Sequence, residues 1–355
     1  MLTPEKLSKL NQNKIVKLYT KLNQQLTKDI INKLKEDENI STYTKHQIKV
    51  LARQGGKEMF NNALNKISGI SKEQKKYLEE LFNEILNSEY RGYKNQYEFN
   101  DKEFVVSDSS MQIISSMINR TNKKLKNFTK TIAFATQQAY VNAIDELYSK
   151  VVSGGYDYES AIKSTVNNLA NKGVTLTSNG RNYKLESTVK MNLFTSITQT
   201  ANDISSNIKD EIGADGVWIA PTPYCRPSHR VINGKTMTLK EFKKHEYLLS
   251  EPNCYHVVNY IVLDAFDKPY TNKELKDINS NADSKYKIRQ KQNYYARQVR
   301  NKKEEITNLT RVGETELLNK AKKELRNAQI KYRSFCNKNG LDVDYFLTWK
   351  AGYNK

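Results

Sequence analysis

Long apolar runs are absent from this 355-residue chain: no stretch approaches 18 consecutive apolar residues, so no segment reads as a bilayer-spanning helix. The opening MLTPEKLSKLNQ lacks the apolar core of a secretory signal. Cysteine is scarce as well. Three scattered Cys cannot build a disulfide framework, which points to a reducing compartment. Hydrophobic residues reach only 37%, although 22 Tyr and 11 Phe supply bulky packing groups, so a core can form in a helical layout with much solvated surface. Acidic residues are the minority, 39 against 58 Lys and Arg, leaving a formal charge of +19. A chain this cationic binds polyanions unless its charge is covered, with nucleic acid the first candidate and membrane headgroups the second.

What is present is mostly helical periodicity. Thr3 with Pro4 reads as a cap and first-turn proline. Leu7, Leu10, Ile15, Leu18, Leu22, Leu26, Ile30 and Leu34 then mark one face of a long helix. STYTKHQIKVLARQ begins a second helix with a weak point at Gly55-Gly56, and Ser71 caps a third. A further long helix stops at Gly154-Gly155, and Asp157 and Gly173 bracket a compact one. VTLTSNGRNYKL alternates around Asn179-Gly180, a hairpin signal, and a long Ser/Thr-rich helix follows it. The texture changes at DGVWIAPTPYCRPSHR, which holds three of the six prolines (Pro221, Pro223, Pro227), and YHVVNYIVLDAF is the most strand-like segment. The pattern predicts a mainly α, elongated helical protein with one small α+β module near residues 213–266. Its segments are an N-terminal helical region (1–100), a helical body (101–212), the module (213–270) and a basic C-terminal helix with a tail (271–355).

Three of the four His (His229, His245, His256) and two of the three Cys (Cys225, Cys254) fall within residues 224–256. Cys225 and His229, four apart, share a face of a helical turn; Cys254 and His256, two apart, share a face of a strand. Two such pairs could form a tetrahedral Cys₂His₂ zinc site. The spacing, C-x₃-H, 24 residues, then C-x-H, is not that of a standard finger. A packed turn, with His229 bonded to backbone and Cys254 buried as a small hydrophobe, accounts for the same residues and implies no cofactor. A third reading is catalytic: Arg226 holding phosphate while His229 and His256 move protons, as in a nuclease or other phosphoryl-transfer enzyme, or a Cys254–His thiolate pair. No oxyanion element or orienting third group accompanies it.

Residues 216–266 resemble the signature of the phage minor capsid protein 2 family, which is similar to the Mu F-like head morphogenesis proteins of tailed phages. The run Arg226, Pro227, Ser228, His229, then Gly234 and Lys235, then Asn253, Cys254 and His256 carries the resemblance. NFTKT (127–131), VVSGGYDYESAI (151–162), STVKMNLFTSITQTANDI (187–204), YYARQVRNKKEE (294–305) and FCNKNGLDVDYF (335–346) extend it over roughly residues 100–350. Cys225 departs from the family pattern, and Tyr255 stands where a basic residue is common. Without Cys225 the constellation is one ligand short of a closed zinc site, which favours a lock in which Pro227, Gly234 and Asn253 shape turns. The resemblance implies a non-enzymatic component of the virion head interior, assembled in the host cytoplasm of a phage or prophage. It further implies portal and capsid proteins as partners, with DNA touched non-specifically and no membrane, and no toxin or transferase domain is expected after the last helix.

Residues 285–303 contain Lys285, Lys287, Arg289, Lys291, Arg297, Arg300, Lys302 and Lys303, no acid, and interleaved Tyr286, Tyr294 and Tyr295. On a helix these cover more than one face, so part of the run meets solvent or a polyanion, and phosphate contact here would depend strongly on salt. The rings could stack on single-stranded bases or pack on the helical body, and the four charges from Arg297 to Lys303 are expected to have little to bury.

Overall fold

The structure, a computed structural model, describes all residues except 10–12, 37–39, 100–103, 179, 223, 252, 253, 255, 346, 351, 354 and 355. Helices α1 (Pro4–Lys9), α2 (Asn13–Glu36), α3 (Lys45–Tyr97), α4 (Asp108–Val152) and α5 (Tyr158–Lys172) come first. The hairpin β1 (Thr175–Ser178) and β2 (Arg181–Lys184) leads into α6 (Leu185–Glu211). Then follow β3 (Gly216–Ile219), β4 (Thr236–Thr238), α7 (Leu239–Lys243), β5 (Val258–Ile261), α8 (Asn272–Asn279), α9 (Ala282–Val312) and α10 (Thr315–Lys338). The fold is therefore mainly α with small antiparallel sheets, as the periodicity predicts. No helix among the described residues is long and apolar enough to cross a membrane.

Local signals set several boundaries. Asp157 accepts the Ser160 N–H at 2.8 Å and Gly173 closes α5 at φ +62°. β1 and β2 pair antiparallel from Thr175↔Lys184 to Ser178↔Arg181; Asn179 of the predicted turn lies outside the described residues. Two readings need correction. The single helix predicted from Leu7 to Leu34 is two helices, α1 and α2. Conversely, α3 runs unbroken for 53 residues through Gly55-Gly56 and past Ser71, where the sequence predicts two helices. The glycines admit a neighbour rather than end the helix: a Cβ on Gly55 would lie 2.4 Å from the Tyr140 hydroxyl of α4. Burying a tyrosine ring against the backbone outweighs the roughly 1 kcal/mol that a mid-helix glycine costs.

Backbone contacts divide the chain into two units, each assembled from three stretches. One comprises Met1–Lys14, Glu73–Lys124 and Lys190–Gln290; the other comprises Ile15–Lys72, Leu125–Val189 and Lys291–Lys355. In the first, the three-stranded sheet has the order β4-β3-β5. Val217, Ile219, Ile232, Met237, Phe242, Leu248 and Val258 form its core. The outer edge of β5 is closed by helix side chains. Asn202 Oδ1 accepts from Val258 N at 2.9 Å, Ser205 Oγ from Tyr260 N at 3.0 Å, and Tyr97 Oη from Val262 N at 3.0 Å. This gives the polar residues of α6 a purpose, since an unpaired strand edge otherwise invites pairing with another chain.

The second unit packs Tyr19, Leu22, Leu26 and Ile30 of α2 and Tyr140, Ile144 and Leu147 of α4 out of solvent. It also buries an ionic network. Lys184 donates to Glu304 at 2.5 Å, Lys350 lies 3.3 Å from Glu304 and pairs with Glu186, and Asn23 reaches Glu304 at 3.4 Å.

Candidate functional site

The site lies wholly within the first unit, on the loops flanking β3 and β5. Pro227 opens a single 3-10 turn, Pro227–His229, whose His229 N–H bonds the Arg226 carbonyl at 3.0 Å. Proline suits that position because it needs no N–H there. The turn aims the His229 ring inward, where it is 0% exposed. A second turn at Asn233-Gly234 requires φ +75° at Gly234, and a Cβ there would meet Leu275 at 2.7 Å, so glycine is needed on both counts. Cys254 and His256 stand just before β5, where the Ala220 N–H bonds the Val257 carbonyl at 3.0 Å.

Three side chains from these segments converge. His229 Nδ1 and His256 Nδ1 are 3.4 Å apart, and Cys254 Sγ lies 3.6 Å from each. The outer ring nitrogens have their own partners. His229 Nε2 is 2.9 Å from Glu251 Oε2, a carboxylate that can only accept. His256 Nε2 is 3.3 Å from Asn233 Oδ1. The orientation of Asn233 is set independently: its Oδ1 accepts the Thr222 N–H at 2.9 Å, and its Nδ2 donates to the Thr222 carbonyl at 3.1 Å and to Asn279 Oδ1 at 2.9 Å. Both imidazoles are thus N–H donors on the outside and turn Nδ1 toward the sulfur. Burial, then the nearby His229 and Arg226, push His256 down to about 4, so it is neutral at physiological pH. Burial raises the Cys254 thiol. Glu251 is held below the usual carboxylate range, first by its bond to His229 and further by Arg226, which donates to it at 3.0 Å.

Of the predicted four-residue ligand set, three side chains come together and Cys225 stands to one side. Cys225 Sγ sits 3.5 Å from Nε2 of His256, on the far side of that ring from Cys254, and donates to the Arg226 carbonyl at 3.3 Å. Its thiol is pushed up to about 12, burial being the main cause. The cluster with metal-ligand geometry among the described residues is His229, Cys254 and His256. Of the remaining motif residues, Ser228 and Lys235 are exposed, and Lys235 contributes its carbonyl, which accepts from Ile219 N at 2.9 Å. Asn253 lies outside the described residues, as do Pro223 and Tyr255. His245 immediately precedes a short 3-10 turn, makes no side-chain bond to it, and is not part of the cluster. Sequence reasoning passed over Glu251 and Asn233. Both stand within three residues of a motif position, but only the fold shows that each faces a histidine.

A cleft of ≈ 650 Å³ opens onto Glu251, Cys254 and His256, with Thr198, Asn202 and Asp203 of α6 on its wall. Burial raises the Asp203 carboxyl, against the pull of Arg120.

The predicted basic run divides between the two units and in its environment. Lys287, Lys291 and Arg297 are exposed, and Arg289 stacks 4.9 Å from the Tyr224 ring centre. Lys285 donates to the Asp277 carbonyl at 2.5 Å. In the second unit, Arg300 donates to the Leu347 carbonyl, Lys302 pairs with Glu305 at 2.7 Å and Glu324 at 2.5 Å, and Lys303 donates to the Thr348 carbonyl at 2.8 Å. The expectation that Arg300, Lys302 and Lys303 have little to bury is therefore corrected: they hold the C-terminal tail and α10 in place. Tyr295 packs 5.1 Å from Phe335, while Tyr294 is 48% exposed.

A family model described as phage minor capsid protein 2 matches residues 2–337. No curated protein and no solved structure matches the chain.

Proposed function

The chain belongs to the phage minor capsid protein 2 family and so is a minor capsid protein of the virion, and on that premise we propose that it docks on the portal and inner shell of the phage head and contacts DNA by charge during assembly in the host cytoplasm. The observation that carries the DNA part is the outer face of α10. This helix buries Ala321, Leu325, Tyr332 and Cys336 on one side. On the other it exposes Lys322, Lys323, Arg326, Lys331, Arg333 and Lys338, and its Glu324 is already paired with Lys302. Within the same unit, Lys291 and Arg297 of α9 are exposed too. Such a face attracts phosphates without reading bases, because no groove-reading motif accompanies it. The action is non-covalent. The phosphoryl-transfer alternative has weaker support: Arg226 is paired with Glu251, and both histidine rings are buried against each other.

Duplex binding measured against salt tests the DNA reading. Each phosphate neutralised contributes about 0.9 to the slope of log affinity against log salt. Replacing Lys322, Lys323, Arg326 and Lys331 with Gln should flatten that slope by about 2–4, with melting unchanged because these side chains are exposed. An unchanged slope refutes DNA contact through α10. Portal docking is tested separately, by mass spectrometry of purified proheads and co-purification with the portal; absence of the chain from both refutes it.

A further inference from the structure

We propose that His229, Cys254 and His256 bind a Zn²⁺ ion through Nδ1, Sγ and Nδ1, with the fourth position reached from the cleft beside α6. The argument is metric. Zn–N bonds of about 2.05 Å and a Zn–S bond of about 2.3 Å at the tetrahedral angle place N and N about 3.3 Å apart, and N and S about 3.6 Å apart. The structure has 3.4 Å for the nitrogen pair and 3.6 Å for both nitrogen–sulfur pairs. The three atoms therefore outline one face of a zinc tetrahedron.

The surroundings agree with the metric. Each imidazole donates its other N–H outward, His229 to the Glu251 carboxylate and His256 to Asn233 Oδ1, an arrangement that orients metal-bound histidines. That leaves two nitrogen lone pairs facing each other with one thiol proton to serve both, and hydrogen bonding within the cluster cannot satisfy the second. A cation at the centre does, and binding it releases the Cys254 proton. Cys225 is not a ligand, because its sulfur faces the Nε2 side of His256. Three protein ligands beside a cleft of ≈ 650 Å³ leave the fourth place to water, as in zinc sites with an exchangeable ligand.

The test uses the full chain. Protein purified without chelator should carry about one zinc per chain by elemental analysis. Cys254→Ser and His229→Gln should lower that content at least tenfold, while Cys225→Ser keeps it. Loss of fold is separated from loss of a ligand by stripping the wild type with chelator and adding Co²⁺. A thiolate-to-cobalt absorption band should return in wild type and in Cys225→Ser and be missing in Cys254→Ser. Glu251→Gln and Asn233→Ala should keep the band and bind Co²⁺ about 10–100-fold more weakly. Wild-type protein that holds no zinc and gives no cobalt band overturns the proposal. So does a band that survives Cys254→Ser and disappears with Cys225→Ser.

Discussion

Replacing Glu304 with Gln probes how the second unit tolerates its charge. Glu304 is 1% exposed and receives two ammonium groups, from Lys184 at 2.5 Å and Lys350 at 3.3 Å. Lys350 is 3% exposed; burial lowers its basicity, but Glu304 and Glu186 together hold it above its usual range. Glutamine has the same shape, but keeping its oxygen for Asn23 turns its NH₂, a donor, toward the two ammonium groups, so both the charge and their acceptor are lost. Removing one partner of a buried pair costs about 3–5 kcal/mol. Lys350 retains Glu186, and Lys184, partly solvated, retains the neutral Asn171 carbonyl at 3.1 Å, so the lower end of that range, about 3 kcal/mol, is expected. The chain has two tryptophans, Trp218 in the first unit and Trp349 in the second. Urea unfolding followed by Trp349 fluorescence in a Trp218→Phe background therefore reports the second unit. A loss of about 3 kcal/mol moves the midpoint down by about 1.5 M for a slope of about 2 kcal/mol/M. Adding Lys184→Met should recover part of the loss, because it removes the orphaned charge. A midpoint within about 0.2 M of the parent, or no recovery in the double variant, would show that the network is hydrated and the reasoning wrong.

Other expectations follow from the same kind of argument. Gly55→Ala forces a Cβ into the Tyr140 ring and should destabilise the second unit by about 1–3 kcal/mol; a neutral result on the Trp349 readout would mean that the ring moves aside freely. Asn202→Ala leaves the Val258 N–H without its acceptor and should cost the first unit about 1–3 kcal/mol by Trp218 fluorescence, whereas equal stability would imply that water replaces the side chain. In chelated protein, the unfolded chain takes up a proton on His256 near pH 6.5 and the folded chain only near 4. The stability from His256 is therefore complete above about pH 6.5 and falls by roughly 3 kcal/mol as the pH drops to about 4. His256→Gln should flatten that part of the pH profile, and an identical profile in the variant would refute the assignment.

The fold class, the β-containing module, the hairpin and the caps of α5 were legible in the sequence because each rests on local physics: periodicity, turn chemistry and a capping side chain. Local physics also misled. Gly55 reads as a weak point and Ser71 as the cap of a new helix, yet α3 runs through both, since a glycine that admits a tyrosine ring reads the same as one that weakens a helix. The order of motifs pointed to the family, and the clustering of His and Cys in residues 224–256 marked the stretch whose side chains the fold brings together. Spacing alone could not say which sulfur joins the histidines. Cys225 and His229 look paired along the chain, yet the 3-10 turn at Pro227 puts Cys225 behind His256 and brings Cys254 to the front. Charge was the least legible property. Arg300, Lys302 and Lys303 read as a solvated stripe, and only tertiary structure supplies the carbonyls and carboxylates that occupy them, because those partners come from sequence positions that no local pattern connects.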